Sequence, residues 1–533
     1  MSGGSLWVAK ATDELVPRYP PLLGDRTADV VVVGAGIVGL TTAALLVRSG
    51  REVVVLEART VGTGTSGYTT AKVSALQGSR YQKIVGDHGS GAAARYAEAQ
   101  LAGLRWMDEQ VRERAIDCAW ERRPAVSYST TADGRLTVER EAESAAAAGL
   151  PVHLRDDVGL PFPISAAVVL EDQAQFDPGP YLRALAAEVA AAPNGAVHEG
   201  NRVTAVQGHG DHVVVTEQGQ RVRADHVVVA TLLPILDRGL FFARAKPKSS
   251  YIVALRATGE LPTGMYLSVD EPTRSLRTAN DGEGELMLVG GEGHPTGKGA
   301  PHAHRYDHLA DWARQHLPVA ETVAQWSAHD YETADHLPWV GPSSPLTPNV
   351  TVATGFEKWG MTMGTAAALA LRDRIVEDAA GPSATWAEMF GPTRLARNGF
   401  VRAARMNAEV AVELTTGWVR PDQPPAADGR GARHRRGILP VGDGAPDGDE
   451  VVVVCSHLGG VCTWNDAEST WDCPLHGSRF EADGTVLTGP ATRPLRAVPP
   501  RGQHRHADGS DHDVVRSDPR LEIERRAEKG GDR

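Results

Sequence analysis

The stretch DVVVVGAGIVGLTTAALLVRSGREVVVLEART, residues 29–60, decides the fold. Its opening run, Asp29 to Val33, is almost wholly β-branched and reads as a buried strand. An alanine- and leucine-rich helix follows from Ile37 to Ser49 and is closed by Gly50. A second strand, Glu52 to Leu56, completes a βαβ unit. Gly34, Gly36 and Gly39, with Ala35 between the first two, form a G-x-G-x-x-G set where strand meets helix. Gly34 permits the tight turn, Gly36 lets a pyrophosphate approach the backbone, and Gly39 allows helix and strand to pack closely. Glu57, followed by Ala58, ends the second strand, where a carboxylate can accept from a ribose 2′-hydroxyl. The strand before and the helix after make this a dinucleotide site rather than a plain glycine turn.

Outward from this unit, short strands alternate with helical stretches. DHVVVTEQ, ADHVVVAT, GELMLVGG and NVTVATG read as strands; YLRALAAEVAAA and TAAALALRDRIVED read as helices. The fold class is α/β with an added antiparallel sheet. GGEGHPTG at 290–297 follows a strand but opens no helix, so it reads as a hairpin loop, and the chain carries one fingerprint. Near residue 396 the composition shifts. A polar helical stretch leads into PDQPPAADGRGARHRRG, and 397–432 is expected to be a linker between residues 1–396 and a small unit at 433–500. Residues 501–533 are mostly charged and read as a disordered tail.

A chain of 533 residues with 41% hydrophobic content can bury large cores in two to four domains. The net charge of −12 and the lack of a long basic stretch argue against nucleic acid as a partner. No apolar run reaches the length of a membrane span. Four cysteines and an N-terminus without an export pattern give a cytoplasmic expectation.

Glu57 followed by ARTVGTGTSGYTTAK resembles the second phosphate-contacting segment of the D-amino-acid-oxidase-like FAD oxidoreductases. The resemblance continues through FDPGPYLRAL, ADHVVVAT, TADHLPWVGP and TGFEKWGMTMGTAAALAL, over about residues 28–380. It implies FAD as cofactor, a Rossmann-type FAD portion, and an interleaved antiparallel-sheet portion for substrate. It also implies that Ser66, Thr69 and Thr70 lie near the flavin phosphates or ring, and the Val203 backbone near adenine. Gly360, Met361 and Thr362 would lie by the isoalloxazine or ribityl chain. On the residues alone, TSGYTT could equally be a hydroxyl-rich helix cap, and Met-Thr-Met simple packing. The sequence departs from the family at SAHDYETADHLP, where Asp330 stands about where amino-acid oxidases carry a carboxylate-clamping arginine. That favours an amine over a plain α-amino acid, unless Asp330 is only a surface charge.

Three of the four cysteines lie in CSHLGGVCTWNDAESTWDCPLHGS, residues 455–478. Cys455-Ser-His457 and Cys473-Pro-Leu-His476 are mixed pairs in turn-rich loops, and thiolates with imidazoles suit zinc or an iron–sulfur cluster. The order resembles the Rieske [2Fe-2S] module. The resemblance implies a small all-β domain in which Cys455 and Cys473 bind one iron, and His457 and His476 the other. It also implies a lower potential than many Rieske centres. The loop-disulfide positions are Gly460 and Leu475, Phe480 stands where a tyrosine donates to sulfur, and Ser478 is retained. Cys462 is expected to be a core residue without a nearby partner.

His304 and His308, in a stretch with His294, His302, Asp307 and Asp311, read as a solvated helix start rather than an iron site. His88, Tyr96, Trp106, Trp464 and Trp471 read as packing or surface residues, and no general base stands out. The two resemblances together imply an FAD-dependent oxidoreductase acting on a small amine or amino-acid-like substrate. Its Rieske [2Fe-2S] cluster would exchange electrons with an external donor or acceptor. A redox-sensing or docking role for the Rieske unit, or an O₂-using oxidase with an idle cluster, are the alternatives.

Overall fold

A computed structural model describes residues 2–11, 18–208, 210–236, 239–376, 385–394, 397–444 and 449–498. The tail at 501–533 lies outside the described residues. Strand Arg26–Val33, helix Ile37–Arg48 and strand Val53–Leu56 form the expected βαβ unit. Gly50, with φ of 80°, ends the helix by entering the left-handed region that a side chain disfavours. Val30–Val33 and Val53–Leu56 are buried, which explains the unbroken valine runs. Parallel pairing continues on one side to Gly195–His198 and on the other to Arg221–Val229 and Thr347–Thr354. Trp339–Ser344 adds an antiparallel edge, and a hairpin arm (Val203–Gln207, His212–Thr216) completes the eight-stranded sheet.

A ten-stranded sheet forms the second portion, its central strands Ala245–Ala257, Glu285–Pro295 and Val319–Thr333 pairing antiparallel. Gly290–Pro295, expected in a hairpin loop, continues the second of these strands; the turn comes only at Thr296–Gly299. Small residues at 290, 291 and 293 read as loop, but they leave the strand backbone open toward a cavity it lines. Helix His304–His316 covers this sheet through Tyr306, Leu309 and Ala313, leaving His304 and His308 exposed.

The segment 397–432 is not a free linker. Helix Arg397–Val419 occupies most of it and touches both neighbours. Asn407 donates to the Ala243 carbonyl and Arg402 pairs with Asp87, while Trp418 Nε1 donates to the Gly459 carbonyl at 3.2 Å. Residues 1–498 form one compact unit, and Glu409 and Glu413 tie the helix to Lys246 and Lys298 of the large-sheet portion. The C-terminal part has two four-stranded sheets, one of 432–436, 439–443, 450–452 and 496–498, the other of 463–465, 470–472, 479–480 and 486–488. Trp464 and Trp471 pack between them, as expected. Among the described residues no helix is long and apolar enough to cross a membrane.

Candidate functional site

A cavity of about 660 Å³ opens at the end of the fingerprint strand. Gly34 has φ of 103°, and a Cβ there would stand 2.6 Å from the Ala230 carbonyl oxygen. A Cβ on Gly39 would overlap the Gly34 carbonyl, so helix and strand meet only because both residues are glycine. At Gly36 a Cβ would crowd the Ser66 hydroxyl, which accepts from the Ile37 amide at 3.0 Å. The glycine backbone thus leaves a small open cradle at the helix start, with the Ser66 hydroxyl on its edge, the arrangement that receives a phosphate. Glu57 is fixed beside it, accepting from the amides of Ala35 at 2.8 Å and Arg59 at 2.9 Å.

Of the residues singled out from sequence, Gly34, Gly36, Glu57, Ala58, Ser66, Thr69, Thr70, Val203, Gly360 and Met361 all line this one cavity. Ala35, Gly39 and Thr362 do not. Ala35 is buried and holds Glu57, Gly39 makes the helix–strand contact, and Thr362 accepts from the Ser74 amide at 3.0 Å. The donors, glycine cradle and long volume fit a dinucleotide with a flavin ring at its far end.

That far end is walled by the large sheet. Asp330 lines it and is buried, not a surface charge. Burial raises its carboxyl to about 6 against the Lys358 and Tyr331 amides that it accepts from. Those bonds hold Glu357 and Lys358 at φ of 50° and 73°, conformations that side chains disfavour. Glu357 is partly buried, which pushes its carboxyl up, yet Arg80 and then His336 hold it down to about 2. His294, lowered to about 4 by burial and by His302, is neutral near pH 7. It meets the Tyr251 hydroxyl at 3.2 Å. Lys72 donates to the Tyr266 carbonyl and Ser275, while Lys246 and Lys248 pair with Glu409 and Glu332. Sequence reading missed these lysines and His329, because no local spacing marks residues that meet only through sheet register.

The second site is built on two tight loops. The Cys455 amide donates to the Gly460 carbonyl at 2.8 Å, and the Cys473 amide to the Ser478 carbonyl at 2.8 Å. The loops bring the buried Cys455 and Cys473 thiols within hydrogen-bonding reach and set the His457 and His476 rings 5.3 Å apart. The Cys473 hydrogen bond, then burial, pushes the Cys455 thiol up, while Ser478 pulls it down. His476 is lowered to about 4 by burial and then by His457, leaving the neutral imidazole that ligates metal. Two thiols on one side and two imidazoles on the other fit a mixed-ligand [2Fe-2S] centre. A Cβ on Gly460 would lie 2.6 Å from Leu475, so an apolar contact fills the place of a loop disulfide. Phe480 is fully buried. Cys462 departs from expectation: it is a buried free thiol, but it lies within hydrogen-bonding reach of Cys473.

The two sites are neighbours. Leu487, Thr488, Gly489, Ala491 and Thr492, from the loop after the second cluster segment, form part of the first cavity's wall. Phe242 packs edge-on against both His457 and His476, with ring centres 5.0 and 4.9 Å away. The Tyr331 hydroxyl bonds to the carbonyls of His476 at 2.9 Å and Gly489 at 3.1 Å. Neither residue carried a sequence signal, since each lies far along the chain from the cluster loops.

Comparison with known proteins bears out both family resemblances. The FAD dependent oxidoreductase family model matches residues 29–374, and the Rieske [2Fe-2S] domain model matches residues 448–499. The chain is 34% identical over 501 residues to the Rieske 2Fe-2S iron-sulfur protein YhfW of Bacillus subtilis (strain 168), covering 91% of this chain and 96% of that protein. Over 56 residues it is 46% identical to cytochrome b6-f complex iron-sulfur subunit 2 of Trichormus variabilis, 10% of this chain and 32% of the subunit. Glycine oxidase from Geobacillus kaustophilus has a similar fold, with TM-score 0.57 and 21% identity over 69% of this chain and 99% of the oxidase.

Proposed function

Because the chain belongs to the FAD dependent oxidoreductase family and carries a Rieske [2Fe-2S] domain, we propose that it oxidises a small amine-containing substrate and relays the electrons to an external one-electron acceptor. The observation that carries the relay is the shared wall: segments beside the cluster ligands close the cavity that holds the dinucleotide fingerprint. Flavin supplies two-electron chemistry at a C–H bond, and the cluster exchanges electrons singly. Two turnovers of the one-electron acceptor therefore balance each substrate oxidised.

The chain's own residues supply position and seclusion. The Gly34–Gly36 backbone and the Ser66 hydroxyl would receive the pyrophosphate, with Glu57 on the adenosine ribose and Val203 near adenine. Gly360 and Met361 would face the ring. Cys455, Cys473, His457 and His476 would hold the cluster, and Phe242 covers its histidine edge from water. An amine substrate is supported by the acidic Asp330 on the wall and by likeness to a glycine oxidase fold. Neutral His294 bonded to Tyr251 adds a polar surface without a second charge.

Anaerobic screening of amines, amino acids and nitrogen-free alcohols and hydroxy acids for flavin bleaching tests the substrate class. An amine is expected to bleach the flavin; bleaching only by compounds without nitrogen would overturn it. The relay fails if a substrate that bleaches the flavin leaves the cluster oxidised, which would return the Rieske unit to a docking role. Rapid peroxide formation with an idle cluster would make the enzyme an oxidase.

A further inference from the structure

We propose that His329 is the positioning residue that couples the flavin cavity to the cluster, by filling the gap between the cavity wall and the Gly477 backbone. This rests on the relay reading above. His329 stands on strand Val319–Thr333, is buried, and lines the cavity. Its Nδ1 meets the Thr296 hydroxyl at 3.0 Å, which meets Ser249 at 2.9 Å, so the ring is locked in one orientation. Thr65, from the hydroxyl-rich loop on the fingerprint side, donates to the His329 carbonyl at 3.2 Å.

On its other side the ring faces the Gly477 backbone of the cluster loop. A Cβ built on Gly477 would lie 3.0 Å from His329 Cε1 and 3.0 Å from the Tyr331 hydroxyl, and would collide with Pro247. Gly477, at φ of 75°, is therefore a glycine by conformation and by contact. It follows the cluster-ligand position His476 directly. Through His329 the route from the cavity to His476 crosses one gap, His329 to Gly477, and then runs through covalent bonds, whereas the route from Gly489 through the Tyr331 hydroxyl crosses two hydrogen bonds. Electron tunnelling falls off faster across empty space than through packed atoms, so filling this gap favours the His329 route. The redox balance is that of the relay: one electron leaves reduced flavin, one enters the cluster, and the external acceptor removes it.

The test uses the full chain loaded with FAD and cluster. The bound flavin is photoreduced anaerobically with EDTA as electron donor, and the rise of the reduced-cluster EPR signal is timed. At equal FAD and iron content, His329→Ala is expected to slow cluster reduction by an order of magnitude or more, with the cluster potential and g-values unchanged. His329→Phe, which refills the space with a ring, is expected to keep a rate close to the unmodified protein's. Thr296→Val, which frees the ring without removing it, is expected to slow transfer and covers the case that the alanine variant does not fold. A rate in His329→Ala or Thr296→Val equal to the unmodified protein's would overturn the inference while the relay stands. A phenylalanine variant as slow as the alanine one would overturn the packing argument. Absence of transfer in the unmodified protein would instead sink the relay itself.

Discussion

Tyr331→Phe isolates the seam between the two sites. The residue is 1% exposed, and its hydroxyl bridges the carbonyls of His476, in the cluster-ligand loop, and Gly489, in the segment that closes the cavity. Phenylalanine keeps the ring and its packing against His329, whose centre is 5.1 Å away, and removes only the bridge. Two buried acceptors then lose their shared donor. Leaving buried acceptors unsatisfied costs about 1–3 kcal/mol, which corresponds to a roughly 5- to 150-fold rise in local opening. Amide exchange should report that rise at 473–478 and 486–492, while strands 463–465 and 470–472 keep their protection. The FAD content should not fall, because Tyr331 does not line the cavity. Unchanged exchange in both loops would refute the bridge as an energetic link. An equal rise throughout the chain would refute its local character.

Three further outcomes follow from the geometry. His457→Ala should abolish cluster iron and sulfide while FAD stays bound, since the fingerprint and the ligand loops are separate structures; purified protein should otherwise hold one FAD and two irons per chain, checked by flavin and metal analysis. Gly34→Ala should lose FAD, read by absorbance at the flavin bands, because its Cβ would stand 2.6 Å from the Ala230 carbonyl oxygen in a left-handed backbone. Glu357, held at about 2 by Arg80 against burial, contributes stability that is complete above its ordinary value of 4.5 and is lost as pH falls through about 2. An acid-unfolding series should therefore be flatter over that window for Glu357→Gln than for the unmodified chain, and identical slopes would remove the ion pair from the account.

Much of the fold is legible because its signals are local. The valine runs, the three glycines and Gly50 each encode a backbone requirement within a few residues, and the Cys/His pairs each sit in one loop. What could not be read depends on register between distant strands. Lys248 lies opposite Asp330 through the pairing of Ala245–Ala257 with Val319–Thr333, and no spacing in the sequence announces it. The helix Arg397–Val419 is legible as polar helix, but its grip on both neighbours is not, since its ion pairs run to Asp87, Lys246 and Lys298 on one side and Trp418 donates to the Gly459 carbonyl on the other. Asp330 was found in sequence and stands at the cavity, yet its carboxylate is spent on backbone amides in a way only the loop conformation reveals. Cys462 looked isolated because its contact, Cys473, belongs to the other loop.

The most direct measurement follows both centres in one anaerobic mixing experiment, with an amine that bleaches the flavin as the probe. Flavin absorbance and freeze-quenched EPR of the cluster are recorded against time. The account predicts that the flavin bands fall first and the reduced-cluster signal rises afterwards, to one spin per chain when substrate is in excess. A flavin that bleaches fully while the cluster stays oxidised, and is reduced only by an added external reductant, would contradict it.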